Sequence, residues 1–233
     1  MLRLLATTLF FCLLCGCHPG RLPIEAPLTE QQFDSYKFYP GLITTQKLEE
    51  NCISFTADES WAFWTAGRDW EKQLPFLAKK ERGRYQEAQQ IMELDTIYNG
   101  AISPSGNRML YSIRQGEVTS TWLAERSDGT WTPSINLSES TGIQAGYFHW
   151  YTEQELYFYV PEQGGDIATG TLIGDSLKVT AFPGAFNTAA ATEFSPFMGP
   201  RKRFLIFTRY QEGKPAQQGF FYSQNKGSEQ APR

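Results

Sequence analysis

Histidine and cysteine are scarce in this 233-residue chain, and their scarcity removes several chemistries at once. There are two histidines, His18 and His149, and four cysteines, three of them within the first seventeen residues. Cys52 has no intrachain partner in the body of the chain, so a disulfide framework is excluded. It lies in an apolar strand pattern and reads as a buried, inert thiol. No His and Cys spacing suits zinc, and no glycine loop opening a helix suits a phosphate. The stretch Glu162-Gln163-Gly164-Gly165-Asp166 lacks the acidic spacing of a calcium loop. No cofactor is expected. Long apolar runs are also lacking: Leu4–Leu14 falls short of a comfortable membrane span, and no other run reaches one. Nor is there an excess of positive charge. The chain has 21 Lys and Arg against 25 Asp and Glu. The basic runs Lys79–Arg84 and Arg201–Arg203 fall where turns are expected, so nucleic acid is not an expected partner.

Aromatics, in contrast, make up 15% of the chain, with 20 glycines and 13 prolines. That balance favours many short strands joined by tight turns. The first seventeen residues are set apart from the fold. Arg3 and the apolar run Leu4–Leu14 have the layout of a signal peptide. Leu14-Cys15-Gly16-Cys17 resembles the bacterial lipobox, which implies that Cys17 is the lipid attachment site and the new N-terminus. By the same resemblance, His18 in place of an aspartate implies the outer membrane, facing the periplasm. Residues 18–35 are Pro-rich and polar and read as a tether. The acyl chains would then hold residues 36–226 at a bilayer without a transmembrane helix. Residues 227–233 form a tail.

Residues 36–226 contain a repeat. The stretches starting at Phe55 (FTADESWAFWT), Ile102 (ISPSGNRMLYS), His149 (HWYTEQELYFY) and Met198 (MGPRKRFLIFT) each show a short apolar run, a polar turn and an alternating run. Their spacings are 47, 47 and 49 residues. A second half repeats at an offset of 46: Leu77, Gly83, Tyr85 and Ile91 align with Leu123, Gly129, Trp131 and Leu137. Gly174 and Gly227 hold the same turn position in the third and fourth copies. Period-2 alternation places Met109, Tyr111 and Ile113 on one side, likewise Leu156, Phe158 and Val160, and Phe204, Ile206 and Thr208. One unit is therefore four strands. A four-stranded sheet of this length cannot bury both faces alone, and stacking copies around an axis solves that. The expected fold is all-β: a propeller-like arc of about four four-stranded antiparallel blades. The helical propensity of Glu81–Leu94 is overridden by its alignment with a strand-like segment. The last copy lacks its fourth strand, leaving an open arc with an edge that invites self-association. The alternative repair is Lys37–Thr44 supplying that strand and closing the ring, although Pro40 limits it to an edge or bulge.

Asn99–Ser112, followed by Thr121–Ser140, resembles the WD40-like β-propeller repeat of bacterial periplasmic proteins, the TolB-type blade. The resemblance covers roughly residues 36–224. Ser105 stands where the pattern usually has an aspartate, and blades three and four lack the Asp-Gly pair of the first turn. These departures touch turns only.

Gly174-Asp175-Ser176-Leu177 spells the motif of a serine hydrolase family. A serine nucleophile needs a base within reach, and the resemblance would supply it from a D-x-x-H near the C-terminus. No histidine follows His149, and Gly174 aligns with the turn glycines Gly83 and Gly129, so a hairpin is expected. The positions preceding each first strand, Glu50, Ile97, Gln144 and Glu193, are expected at the channel mouth. Glu50, Gln144 and Glu193 are the candidate binding residues there, for a cation or a basic peptide. Tyr147, Phe148, Trp150 and Tyr151 suit sugar stacking, with packing between blades the cheaper explanation. The expected function is a membrane-anchored, non-catalytic cell-envelope propeller with a TolB-like scaffold role, binding a protein or glycan partner. The alternative is a propeller-based hydrolase, such as a glycosidase with a carboxylate pair.

Overall fold

Four antiparallel sheets follow one another along the chain in a computed structural model that describes residues 38–45, 47–132, 134–214 and 218–225. The leader with Cys17, the tether, the turn expected at Gly227 and the tail lie outside the described residues. Sheet 1 holds β1 (Glu49–Phe55), β2 (Trp61–Gly67), β3 (Leu74–Glu81), β4 (Arg84–Tyr85) and β5 (Gln89–Gln90). Sheet 2 holds β6 (Asn99–Ile102), β7 (Arg108–Gln115), β8 (Val118–Ser127), β9 (Thr130–Trp131) and β10 (Ile135–Asn136). Sheet 3 is β11 (Gly146–Trp150), β12 (Glu155–Val160), β13 (Asp166–Ile173) and β14 (Ser176–Ala181). Sheet 4 is β15 (Thr192–Met198), β16 (Phe204–Tyr210) and β17 (Gly219–Gln224). Strands run from innermost to outermost in chain order within each sheet, which is the expected blade.

The turns follow from their residues. Arg82-Gly83 and Asp128-Gly129 each put two successive residues at positive φ, between the paired residues Glu81 and Arg84, and Ser127 and Thr130. Two-residue turns of this kind match the twist of the strands they join. The outermost strand differs from expectation in sheets 1 and 2, where it is broken in two. From Tyr85 to Gln89 the chain takes four steps, while its partner β3 takes three from Lys80 to Leu77. Trp131 to Ile135 repeats this against Arg126 to Leu123. One extra residue interrupts each ladder as a bulge. After β10 comes an unexpected helical turn, α1 (Leu137–Thr141). The Asn136 side chain accepts the Glu139 amide at 3.3 Å, and Gly142 ends the turn in the left-handed region. The two caps outweigh the strand pattern.

Consecutive sheets bury their faces on each other. Phe63 and Leu77 of sheet 1 pack with Met109, Tyr111 and Ala124 of sheet 2. Leu110 and Leu123, on the other face of sheet 2, pack with Leu156, Phe158 and Ala168 of sheet 3. Tyr157 and Ile167 pack with Leu205, Phe207 and Phe221 of sheet 4. Both sides of the alternation are thus buried in β7 and β12, as face-to-face stacking requires. In β16 the expected column Phe204, Ile206 and Thr208 is only half-buried, and Leu205 and Phe207 form the buried side. The reason is position: sheet 3 covers one face of sheet 4, and among the described residues no sheet follows on the other.

Hydrogen bonds between sheets repeat the period. Ala57 N donates to Pro104 O at 2.8 Å, Ile102 N to Ser54 Oγ at 3.0 Å, and Trp150 Nε1 to Ala101 O at 3.1 Å. Glu153 accepts the Ser105 amide, and Lys202 pairs with Glu155. Each joins positions 47 to 49 residues apart, so like positions in successive blades touch. At the other end, residues 38–44 do not supply a strand to sheet 4. Pro40 and Gly41 turn the chain, Tyr39 O accepts the Leu42 and Ile43 amides at 3.1 and 3.0 Å, and Ile43 packs on Ala62, Trp64 and Ala66. This segment caps the outer face of sheet 1.

Gly170 in β13 shows how tight the packing is. A Cβ there would lie 2.5 Å from Lys178 O and 2.6 Å from the Phe158 ring. Gly170→Ala should therefore destabilise the fold by about 1–3 kcal/mol, read as a lowered urea midpoint.

Candidate functional site

The four innermost strands, β1, β6, β11 and β15, line a cavity of about 430 Å³ at the shared axis. Phe55, Ile102, Phe148, Trp150 and Phe197 supply its walls. One column across these strands, Cys52, Gly100, Tyr147 and Ser195, contributes a residue from each blade. In three of these the strand is bulged at that point, with register shifts at Asn51/Ser54, Gly146/His149 and Phe194/Phe197. Cys52, Tyr147 and Ser195 take φ values of 53°, 50° and 52°. Non-glycine residues there carry about 1–2 kcal/mol of strain each, and bulges re-aim side chains. β6 keeps a regular register at Gly100.

The surroundings of Cys52, Tyr147 and His149, which line the cavity, keep each of them uncharged. Burial pushes the Cys52 thiol up to about 11, against donation from the Gly100 amide and a contact with Thr65. The thiol expected to be inert is thus protonated, although it lines the cavity. The Tyr147 hydroxyl lies 2.6 Å from that of Tyr98. Burial first, then this neighbour, raises its pKa far above the ordinary tyrosine value. The Tyr147 amide donates to Asn99 Oδ1 at 2.7 Å. His149 Nε2 donates to Met198 O at 3.1 Å, which fixes the proton on that nitrogen. Burial holds its pKa down to about 4.

The expected channel-mouth residues lie elsewhere. Glu50 and Glu193 sit within β1 and β15 rather than before them, and neither lines the axial cavity. Each carboxylate accepts the amide and hydroxyl of a threonine five residues upstream, Thr45 for Glu50 and Thr188 for Glu193. Glu193 is fully buried and also accepts Arg209 Nε at 2.8 Å. Burying a carboxylate requires such partners, so both acids tie the incoming chain to its strand. Glu50 borders a separate cavity of about 320 Å³ on the other side of β1. Gln144 Oε1 accepts the Thr119 amide at 3.3 Å, and Ile97 is buried and bridged to Gln73. Phe148 and Trp150 belong to the core between sheets 2 and 3. Tyr151 packs against the sheet 3–sheet 4 core, with Lys202 Nζ 5.1 Å from its ring centre.

Gly174-Asp175 is a two-residue turn between the paired residues Ile173 and Ser176, with Gly174 at φ 56°. Ser176 lies on β14, the outermost strand of sheet 3, and His149 on β11, the innermost. Three strand spacings, roughly 14 Å, separate these strands, so His149 cannot serve as base to Ser176. Sequence reasoning missed Tyr98, Ser195 and Phe197. Extending the repeat alignment pairs Cys52 and Ser195 with Asn99 and Gly146 instead, because the bulges that set this column are invisible in the sequence, and Cys, Tyr and Ser carry no signal of positive φ.

No family model matches the chain, and no curated protein matches it in sequence. Among solved structures, TolB from Acinetobacter baumannii gives a TM-score of 0.48 at 15% identity, covering 73% of this chain and 40% of that one. A putative TolB from Agrobacterium tumefaciens gives 0.49 at 14%, covering 70% and 55%. A puromycin-hydrolysing peptidase from Mycobacterium tuberculosis gives 0.44 at 12%, covering 73% and 29%. The chain thus spans about half or less of the length of each.

Two groups make the fold acid-sensitive in separate windows. The folded pKa of His149, about 4, lies below its ordinary value of 6.5. The fold therefore favours the neutral form, and that stability fades as pH falls from about 6.5 to about 4. Asp58 is held down to about 2 by the Ser60 amide, the Ser60 hydroxyl and the Thr56 hydroxyl, so its contribution fades between about 4 and 2. Urea midpoints measured across pH should show both declines, and His149→Gln should remove the upper one only.

Proposed function

We propose that this chain is a membrane-anchored, non-catalytic propeller of the bacterial cell envelope that binds a protein or glycan partner. The observation that supports this most is the axial cavity. Among the described residues its lining holds no Asp, Glu, Lys or Arg, the Cys52 thiol is protonated, and His149 is neutral at ordinary pH. Apolar walls with a few placed polar groups are the usual composition of a binding site. Acyl transfer instead asks for a base poised near neutrality, and His149 is held well below that with Nε2 committed to Met198 O. A glycosidase would place two carboxylates about the scissile bond, whereas the two carboxylates expected at the channel, Glu50 and Glu193, are committed to Thr45, Thr188 and Arg209. The anchoring part of the reading rests on Leu14-Cys15-Gly16-Cys17.

The binding reading is tested by titrating the soluble region, from residue 18, with peptidoglycan fragments, oligosaccharides and apolar peptides. A ligand should raise the melting temperature. Phe197→Ala, at a partly exposed wall residue, should weaken that ligand about tenfold or more and leave the unliganded melting temperature nearly unchanged. Release of a cleaved product would overturn the non-catalytic reading. Anchoring is tested separately: Cys17→Ser should move the protein from the membrane fraction to the soluble fraction, and retention in the membrane would overturn it.

A further inference from the structure

The two sheets that end the series carry a concentration of exposed aromatic surface. Among the described residues five phenylalanines are exposed: Phe38, Phe55, Phe182, Phe197 and Phe220. Four of the five belong to sheet 1 with its cap, or to sheet 4. Phe55 and Phe197 face the same axial cavity from opposite ends of the chain. On sheet 4, Phe204 stacks on Tyr222 at 5.5 Å and touches Phe197, and Phe220 is 60% exposed. On sheet 1, Phe38 meets Phe55 edge-on at 5.8 Å, and Phe38 is 44% exposed.

The repeat says what this surface is. Phe63, Leu110, Tyr157 and Ile206 are one column at spacings of 47, 47 and 49 residues. The first three lie under the next sheet at 0%, 0% and 5% exposure, and Ile206 is half-exposed. Sheet 4 thus continues the surface of an existing sheet-to-sheet interface, and no sheet among the described residues stacks on it. Packing joins sheets 1 and 2, 2 and 3, and 3 and 4, while sheets 4 and 1 show no comparable strand-to-strand packing among the described residues. Isolated apolar side chains on a surface are ordinary, but a contiguous aromatic wall marks an interaction site.

We propose that two copies of this chain close around one axis, the open face of sheet 4 in each seated on the capped face of sheet 1 in the other. Continuity with the internal interfaces selects this occupant. A second copy brings both surfaces at once: an aromatic wall for Phe204, Phe220 and Tyr222, and a cover for Phe38 and Phe55. A two-fold axis makes the two contacts identical and leaves neither wall open, so the assembly stops at two. The contacting side chains are uncharged, as the centre of a protein interface requires.

The full chain, extracted in mild detergent, can be weighed by light scattering with the detergent contribution subtracted. The expected mass is two chains. Phe220→Glu and, separately, Phe38→Glu should each raise the dimer dissociation constant by about tenfold or more. Circular dichroism checks that each variant is folded, and Phe220→Ser replaces Phe220→Glu if the latter is not. A mass of one chain at all concentrations would overturn the proposal. So would an open-ended series of masses, or a dimer indifferent to both substitutions. None of these readouts involves the axial ligand, so failure here leaves the binding reading standing.

Discussion

Every blade in this chain depends on a neighbour to cover it. A twisted sheet with apolar side chains on both faces is unstable in water unless each face meets another apolar surface. The column Phe63, Leu110, Tyr157, Ile206 shows the rule and its boundary, since burial is complete where a sheet follows and partial where none does. At the first sheet the chain solves the same problem locally, laying Ile43 and its neighbours over Ala62, Trp64 and Ala66. The hydrogen bonds follow the packing. Because each blade leans on its copy one period later, bonds such as Ala57 N to Pro104 O join like positions.

This rule explains which parts of the fold were legible beforehand. The repeat was visible because its turn chemistry is local: a glycine at positive φ is required at Gly83, Gly129 and Gly174 whatever surrounds it. The meaning of Gly174-Asp175-Ser176-Leu177 followed from the same alignment. What escaped were features decided by count or by distant contact. The single extra residue that breaks the outer strands of sheets 1 and 2 changes neither the composition nor the alternation of those stretches. Lys37–Thr44 looked able to close the ring by supplying the strand that the last copy lacks. Only packing shows that sheet 1, next along the chain, takes residues 38–44.

The misplacement of the acidic residues has a similar cause. Glu50 and Glu193 stand at like places near the start of their inner strands, and position suggested a charged channel mouth. Both carboxylates instead fold back on Thr45 and Thr188. The spacing Thr-x-x-x-x-Glu at Thr45/Glu50 and Thr188/Glu193 was the available signal, although Thr44/Glu49 has it too. It reads as chain fastening because a hydroxyl and an amide together satisfy one carboxylate. The axial cavity is therefore left to neutral groups, and its distinctive feature is backbone strain. Cys52, Tyr147 and Ser195 differ in size and shape, yet all three hold φ near +50° at the bulge of their inner strand. Such strain persists only where surrounding contacts over-determine it. Here the neighbours that impose it are the adjacent blades, through Gly100 at Cys52 and Asn99 at Tyr147.

Phe197 joins the two unfilled surfaces of the molecule. It lines the axial cavity and touches Phe204 at the open face of sheet 4, at a bulge where β15 and β16 lose register. It also packs 4.9 Å from the His149 ring, whose Nε2 bond to Met198 O spans sheets 3 and 4. A ligand in the cavity and a protein surface on sheet 4 would both press on this one side chain. Two occupants that bias the same group are thermodynamically linked, and the linkage is reciprocal: whatever one does to the affinity of the other is returned in equal measure. With both surfaces occupied as proposed, binding at the axis and covering of the last blade would be coupled through Phe197.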